Sequence, residues 1–357
     1  MRKITISLLF VFVSFFGFSQ EYTFTNIVDL ESSSVKSQGR TGTCWSFSTS
    51  SFLESEIKRI SGKDIDISEM YTVRNTYPKK AWIYVMRQGK AQFSEGGLAH
   101  DVINSVTDYG LVPENVFSGL ENGVKGHNHA EMVAVLKGML DVYVKNPARK
   151  LSPRWKIAVE AVLDIYLGKN VSDFMFDGKK YTPNSFQKML GIQPTDYVTI
   201  TSFTHQSNYS NFVLNIPDNF SNGSMYNVPL DEFEQVIVTA LKKGFTVEID
   251  IDVSEKGFSS KKGVAVTKRK QISAEYRQQE FENYKTTDDH LMHITGLVKD
   301  QNGNLYFKTK NSWGSDEKRI AYGGYVYISS SYIRLKAISV MVHKDALTKN
   351  IAKKIKI

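Results

Sequence analysis

A single cysteine, Cys44, constrains this chain more than any other residue. One thiol cannot form an internal disulfide, so a hydrophobic core has to hold the fold together. The chain has 357 residues, 41% of them hydrophobic, which is enough for one large domain or two modest ones. A lone cysteine is either a small buried hydrophobe or a thiol with a chemical use, and its neighbours decide between the two.

The N-terminus has the three-part pattern of a secretory signal peptide. A positively charged start, Met1–Lys3, is followed by an uncharged apolar run to Phe18, and the small residues Gly17 and Ser19 precede the expected cleavage point. This run is short for a membrane span, and no later segment is apolar enough to cross a bilayer. We therefore expect export, with the mature chain in the periplasm or outside the cell. A retained N-terminal anchor is the alternative.

The segment around Cys44 indicates a loop that enters a helix. Gly39 and Gly42 interrupt the chain just before it. After it, apolar residues recur at helical spacing, at Phe52, Leu53, Ile57 and Ile60. At a helix N-terminus the dipole and the unpaired backbone N–H groups favour an anion, so this position is expected to lower the pKa of the thiol. The same N–H groups can hold a developing oxyanion.

A cysteine nucleophile needs a base, and the base needs a third group that orients its ring. Two extended runs around the Asn302-Gly303 step predict a β-hairpin. The first run carries His290 and His293, and the second ends at Asn311. Alternation along a strand places the two histidines on opposite faces, so only one of them can face the thiol.

The run from Gln38 to Ser48 resembles the active-site segment of papain-family cysteine peptidases, because Gln, Gly, Gly, Cys, Trp, Phe and Ser stand in the family's order. The resemblance implies that Cys44 is the nucleophile. It also implies that the side-chain amide of Gln38 and the backbone N–H of Cys44 hold the oxyanion. Thr41 stands where the family has a disulfide-forming cysteine, a departure that removes a cross-link but no catalytic group.

The run Asn311-Ser312-Trp313-Gly314 is similar to the strand that follows the catalytic histidine in the same family. That family has an Asp before its base and an apolar run after it, and this pattern falls on His290. The resemblance implies that His290 is the base and that Asn311 orients its ring. Trp313 is expected to cover their hydrogen bond from water and to border the bound substrate. His293 is then a packed or surface histidine.

Gly96 and Gly97 form a second candidate segment for binding substrate. Paired glycines expose backbone with which an extended peptide can pair, and a tight turn is an equal alternative. With the long interruption that follows, this segment resembles bleomycin hydrolase and the bacterial aminopeptidase C group. In that group the C-terminal end of the chain lies in the cleft and restricts cleavage to N-terminal residues. Its members are intracellular hexamers, whereas the export signal and short arm here leave the oligomeric state open.

The order of predicted elements agrees with the α+β, papain-like two-lobed fold that the resemblance implies, in which a cleft separates an α-rich lobe from a β-barrel-like lobe. An amphipathic helix is predicted to end near Gly168, a second one to run from Asp231 to Gly244, and a strand to follow it. We expect a signal peptide at 1–19, an arm and α-rich lobe at 20–118, a largely helical insert at 119–230, a β-rich lobe at 231–347 and a basic tail at 348–357.

Other classes of function have little support in the sequence. The formal net charge is +8 and lysines crowd the C-terminus, but there is no basic stripe with interleaved aromatic residues that would indicate a nucleic-acid partner. His127 and His129 lack a placed third ligand, so we expect surface histidines and no metal. No nucleotide-binding motif is present, and we expect no cofactor.

The sequence thus predicts an exported cysteine peptidase that hydrolyses peptides through a thioester at Cys44, without stable membrane insertion. Aminopeptidase action is what the resemblance implies. Because the tail is basic and unlike that of the group, an endopeptidase of the same fold is an alternative. A papain-fold binding protein without turnover is another, although the complete set of Cys, His, Asn and Gln argues against it.

Overall fold

The computed structural model of this chain describes residues 22–146 and 150–357. The predicted signal peptide, residues 1–19, lies outside the described residues. Within the part that is described, no helix combines the length and the apolar character needed to cross a membrane.

Helices around Cys44 form the first lobe. After strand β1 (Phe24–Asp29), the chain forms α1 (Cys44–Ser61), α2 (Glu69–Met86) and α3 (Ala99–Tyr109). Helix α1 begins at the cysteine, as the sequence predicts, and ends at Gly62, whose φ of +71° costs a glycine little. The apolar faces of these helices share one core, which contains Trp45, Phe52, Tyr77 and Val102.

The helical part of the predicted insert packs against the same core. It consists of α4 (Ala130–Val144), α5 (Arg154–Leu167), the hairpin β2 (Phe174–Phe176) and β3 (Lys179–Tyr181), and α6 (Pro183–Leu190). Helix α5 ends at Gly168, as expected. Its residues Trp155, Val159 and Leu163 face the core with α4, so periodicity alone identified the buried side.

One large mixed sheet forms the β-rich lobe. Its strands are β4 (Tyr197–Thr201), β5 (Asn211–Val213), β6 (Ser224–Asn227), β7 (Val247–Ile251), β8 (Phe258–Ser259), β9 (Val264–Ala265), β10 (His290–Asp300), β11 (Leu305–Lys310), β12 (Tyr325–Ser329) and β13 (Ala337–His343). The spatial order is β5-β6-β4-β13-β7-β10-β11-β12-β9-β8, and β1 pairs with β10. Helices α7 (Leu230–Lys242), α8 (Ala274–Glu282), α9 (Ser330–Lys336) and α10 (Lys349–Ile355) complete the lobe.

Strands β4 to β6 refine the expected division of the chain. They lie in the predicted insert, residues 119–230, yet β4 pairs with β13 and so extends the sheet of the β-rich lobe. Only the part of the insert before residue 197 is mainly helical. The predicted boundary at residue 230 therefore falls where α7 begins, but the sheet continues across it.

The hairpin that the sequence predicts is present and is closed by its own turn residues. Strands β10 and β11 are antiparallel, and Gly303 adopts a φ of +81° in the turn. The carboxylate of Asp300 accepts hydrogen bonds from the backbone N–H of Asn302 at 2.9 Å and of Asn304 at 2.8 Å. This Asx-type turn fixes the register that brings the two strands' polar residues together.

The two faces of β10 belong to two different cores. Leu291 packs with Cys44 in the core of the helical lobe, whereas Met292 and Ile294 pack with α7 in the second core. Helix α1 lies along the first of these faces. Ser48 Oγ donates to Glu248 of β7 at 3.3 Å, and Ser51 Oγ lies 2.9 Å from His293 Nδ1. Strand β10 thus contributes side chains to the cores of both lobes.

Candidate active site

The thiol of Cys44 lies where α1 meets the beginning of β10. Cys44 is the first residue of α1 and is 8% exposed. The N-cap residue Thr43 makes no side-chain hydrogen bond to the helix, so it leaves the first backbone N–H groups of the helix without a side-chain cap. The backbone N–H of Leu291 faces the thiol. The nucleophile candidate therefore lies beside the residue that follows His290.

His290 and Asn311 form a buried hydrogen-bonded pair at the open end of the hairpin. His290 Nε2 lies 2.7 Å from Asn311 Oδ1, and the same oxygen accepts from the backbone N–H of Ser312 at 2.7 Å. Because the amide oxygen faces the ring, Nε2 carries the proton and donates, which leaves Nδ1 free to accept one. The Trp313 ring lies 4.7 Å from the His290 ring, centroid to centroid, with a tilt of 34°. Trp313 thus packs on the pair, as expected.

His293 lies too far along the same strand to act on Cys44. It contacts Ser51, which follows Cys44 by about two helical turns, or about 10 Å along the helix axis. Its ring is fully buried against Phe52, with centroids 6.1 Å apart. Of the two histidines, His290 directly precedes Leu291, whose backbone N–H faces the thiol, and His293 has the packed position that the sequence allowed for it.

Gln38 is fixed by two hydrogen bonds of its side chain. Its amide Nε2 donates to the carbonyl of Thr41 at 2.6 Å, and its Oε1 accepts from Ser312 Oγ at 2.6 Å. The backbone N–H of Gln38 also donates to the carbonyl of Ser312 at 2.8 Å. The second amide hydrogen of Nε2 remains to donate to a ligand. Sequence reasoning overlooked Ser312, although its place directly after Asn311 was a usable signal.

Gly96 and Gly97 border the site and are both constrained by their neighbours. A Cβ atom on Gly97 would lie 3.1 Å from the ring of Trp45, whose Nε1 donates to the carbonyl of Glu95 at 3.0 Å. A Cβ atom on Gly96 would lie 1.9 Å from Asp218 Oδ2. Close approach explains both glycines. Asp218 was not identified from the sequence because nothing local relates it to this segment.

The expectation that His127 and His129 are surface residues is wrong for His129, whereas His127 is partly exposed. His129 is 4% exposed, and its Nδ1 lies 2.9 Å from Thr41 Oγ1. The carbonyl of His127 accepts from the backbone N–H of Arg40 at 2.8 Å, and a Cβ atom on Gly39 would meet the same carbonyl oxygen at 2.6 Å. The segment before α4 therefore buttresses the loop that precedes Cys44, at the residue where the family's cross-linking cysteine is replaced.

One group of carboxylates has the spacing of a metal site but already holds a cation. Glu54, Asp66 and Glu69 converge, and Lys36 Nζ lies among them, 2.7 Å from Glu69 and 3.9 Å from Glu54, with a close contact to Asp66. Burial lowers the pKa of Lys36, but these carboxylates more than offset that effect and raise it overall. The ammonium group occupies the position that a metal ion would take, so we assign no metal to this cluster.

Burial favours the neutral forms of both Cys44 and His290. It raises the pKa of the Cys44 thiol to about 12, against the lowering effect of the Leu291 N–H, and it lowers the pKa of His290 to about 4. The expected lowering of the thiol pKa at the helix N-terminus is therefore outweighed by desolvation. Neither group ionises easily alone. Proton transfer from the thiol to the imidazole forms an ion pair without changing the net charge of the buried site.

Comparisons with known proteins agree with this geometry. The model of the Peptidase C1-like family matches residues 170–357, and that of the papain family cysteine proteases matches residues 26–132. Aminopeptidase G of Lactobacillus delbrueckii subsp. lactis is 24% identical and the alignment covers 90% of this chain and 83% of that protein. Aminopeptidase C of Streptococcus thermophilus is 22% identical, with coverage of 92% and 84%.

A solved structure shows the same fold. The crystal structure of PepW from Lactobacillus rhamnosis has a TM-score of 0.75 at 19% identity, and the match covers 93% of this chain and 84% of PepW. The fold and the site thus define a papain-like cysteine peptidase. Because the first family model spans more than half of the chain, this protein belongs to the Peptidase C1-like family.

We predict that His290, and not His293, controls the reactivity of Cys44. In a His290→Gln variant the thiol loses its proton acceptor, so its alkylation by iodoacetamide at pH 7 should slow by about 100-fold. Because burial raises the thiol pKa, the residual rate should keep rising as the pH increases towards that raised value. The matched control, His293→Gln, should react within about twofold of the parent protein. Equal slowing in both variants would contradict the assignment.

Proposed function

We propose that this protein is a cysteine aminopeptidase that releases N-terminal residues from peptides through a thioester on Cys44. The observation that carries the proposal is the meeting of three elements. Cys44 begins α1, and the backbone N–H that faces its thiol belongs to Leu291, the residue after His290 at the start of β10. Asn311, directly after β11, places its Oδ1 2.7 Å from His290 Nε2. The names of the aminopeptidase C and G relatives support the choice of substrate.

The geometry supports a two-step acyl transfer. Cys44 Sγ attacks the peptide carbonyl as its proton passes to His290 Nδ1, and the C–N bond then breaks as the imidazolium protonates the leaving amine. The amide hydrogen of Gln38 that is not used on Thr41 and the backbone N–H of Cys44 then stabilise the oxyanion. A water molecule, deprotonated by His290, hydrolyses the thioester and returns the thiol. Asn311 acts by holding the ring in the productive orientation.

Endopeptidase action is a second candidate, and the position of the C-terminal helix favours it. Ile351 and Ile355 of α10 are buried in the second core, the core to which α7 contributes. Lys354 Nζ pairs with Glu232 of α7 at 2.8 Å and contacts the Tyr209 hydroxyl at 2.8 Å. The tail is thus anchored to the β-rich lobe, on the side of β10 away from α1. A restriction to N-terminal residues has to come from another part of the chain.

The enzyme assignment predicts covalent labelling of Cys44 by an epoxide inactivator of thiol peptidases. The mass of the protein should increase by one inactivator, and peptide mapping should place it on Cys44. A Cys44→Ser variant should gain no mass, because its hydroxyl lacks the reactivity of the thiolate. An unlabelled parent protein with a reduced thiol would favour a papain-fold binding protein instead.

Aminopeptidase action predicts a preference for free amino termini. Fluorogenic aminoacyl amides with a free α-amine should be hydrolysed with at least about tenfold higher kcat/KM than their N-acetylated counterparts. Acetylation removes the positive charge of the amine, and with it any ionic hydrogen bond that the amine makes to the enzyme. Initial rates with both substrates, normalised to the Cys44 that reacts with the epoxide, measure this ratio. A preference for the acetylated substrates would establish the endopeptidase instead.

We also propose that the protein is exported and that the mature chain begins at Gln20. The charged start, the short apolar run and the small residues before Gln20 support this. N-terminal sequencing of the protein from the periplasmic or extracellular fraction of its source cells should read Gln20 first. Recovery of the chain from the membrane fraction with the segment 1–19 still attached would contradict cleavage.

A further inference from the structure

Three carboxyl groups from separate parts of the chain converge beside the Cys44 thiol. Asp250 lies in β7, Asp288 just before β10, and Asp218 in the loop between β5 and β6. All three raise the pKa of the Cys44 thiol, an effect smaller than that of burial. The carboxyl groups of Asp250 and Asp288 are hydrogen-bonded to each other, and the backbone N–H of Asp218 faces the carboxyl group of Asp288. These three residues form what we call the acidic cluster.

Strand pairing directs Asp250 towards the nucleophile. Asp250 stands opposite Leu291 in the register of β7 and β10, and such cross-strand partners share a face. Leu291 belongs to the core that contains Cys44. Asp250 is 1% exposed, and among the described residues its carboxyl group bonds to the carboxyl group of Asp288 but receives no hydrogen bond from an N–H donor. A buried carboxyl group without an N–H donor is costly, so it points to a ligand that donates hydrogen bonds.

Asp218 lies directly against the backbone of Gly96. Its carboxylate fills the space against the Gly96 backbone, where even a Cβ atom would collide with it. Gln92 Nε2 donates to Asp218 Oδ1 at 2.7 Å and holds it there. The positive charge of Lys80 acts on Asp218. The Lys80 ammonium group itself donates hydrogen bonds to the carbonyls of Ser94, at 2.7 Å, and of Gly96. A peptide extended along Gly96 would have to pass this carboxylate.

Resting on the proposed function, we propose that Asp218, Asp250 and Asp288 are the receptor for the free α-ammonium group of the substrate's N-terminal residue. The α-nitrogen is separated from the scissile carbonyl carbon by a single atom, so it lies close to Cys44 when the thiol attacks. An ammonium group has three N–H donors and one positive charge. It adds N–H donors to the paired carboxyl groups of Asp250 and Asp288, of which Asp288 already faces the backbone N–H of Asp218, and it compensates the charge of the cluster.

A side-chain cation offers the same chemistry from a different position. In a longer peptide, the residue before the one whose carbonyl is attacked could be a lysine or an arginine. Its ammonium or guanidinium group could then enter the cluster. The position of Asp218 favours the α-ammonium, because its carboxylate occupies the space beside Gly96 that a longer chain would follow. The cluster then both binds the charged terminus and ends the cleft, a role that the C-terminal tail, anchored through Lys354 and Glu232, does not fill.

The first test compares isosteric variants on matched substrates. Asp218→Asn and Asp288→Asn should each lower kcat/KM for alanyl fluorogenic amide by about 10- to 100-fold, mainly through KM, while the rate with N-acetylalanyl amide is unchanged or increased. The control is Asp289→Asn, whose carboxylate instead accepts from Thr287 Oγ1 at 2.7 Å and from the backbone N–H of Ser254 at 3.2 Å. It should change neither rate by more than about twofold.

Two results of this test would overturn the receptor assignment. One is a fall in kcat/KM that is equal for both substrates, or no fall at all, in variants whose melting temperature and epoxide labelling match those of the parent protein. The other concerns the source of the cation. If the parent prefers acetyl-Lys-Ala amide over acetyl-Ala-Ala amide and only this preference is lost in the variants, the cluster binds a side chain.

A binding measurement decides the question even if no hydrolysis is found, so the proposed function and this inference can fail separately. In a Cys44→Ser background, calorimetry should detect tighter binding of Ala-Ala-Ala than of its N-acetylated form, and adding Asp218→Asn should remove the difference. Equal binding of the two tripeptides, or a difference that survives the substitution, would refute the receptor. Absence of epoxide labelling and of turnover in the parent protein would refute only the peptidase.

Discussion

The contact between α1 and β10 is the interaction on which the site depends. It brings the residue that begins a helix to the start of a strand far along the chain, and polar groups contribute to it. Ser51 bonds to His293 of β10, and Ser48 bonds to Glu248 of the adjacent strand β7, with all four residues buried. Sliding the helix by one turn, about 5.4 Å, would break both bonds and leave buried groups unpaired, at about 1–3 kcal/mol each. Polar contacts therefore fix the register that apolar packing alone would leave loose.

The loop before Cys44 is held from two sides, without a disulfide. On one side Ser312 bonds to Gln38, which ties the oxyanion candidate to the residue next to Asn311. On the other side His129 bonds to Thr41. The nucleophile loop is therefore connected to the β-rich lobe and to the insert by hydrogen bonds alone. Such contacts suit a chain with one thiol, because a second cysteine here could capture the reactive one.

Local patterns in the sequence predicted the parts of the site that lie on one element. The helix at Cys44, the turn at Gly303 and the hairpin that carries His290 and leads to Asn311 follow from glycine positions and from periods of 3.6 and 2. Asp218 and His129 could not be found in this way. Each acts through contact with a segment distant in sequence, and an Asp in a loop or a His-x-His pair looks the same whether it is exposed or buried. The strands within residues 197–227 were not predicted to belong to the sheet. They are short, and β13, with which β4 pairs, is more than 130 residues further along the chain.

The electrostatics of the site link substrate charge to the state of the thiol. The carboxyl groups of Asp218, Asp250 and Asp288 add to burial in raising the pKa of Cys44, so the empty site disfavours the thiolate. A cation bound among these carboxyl groups opposes their field at close range, where interactions are screened least. The thiolate then becomes easier to form only when a charged amino terminus is present. On this argument, the carboxyl groups that we propose bind the substrate also keep the thiol protonated when no substrate is bound, which protects the single cysteine from oxidation.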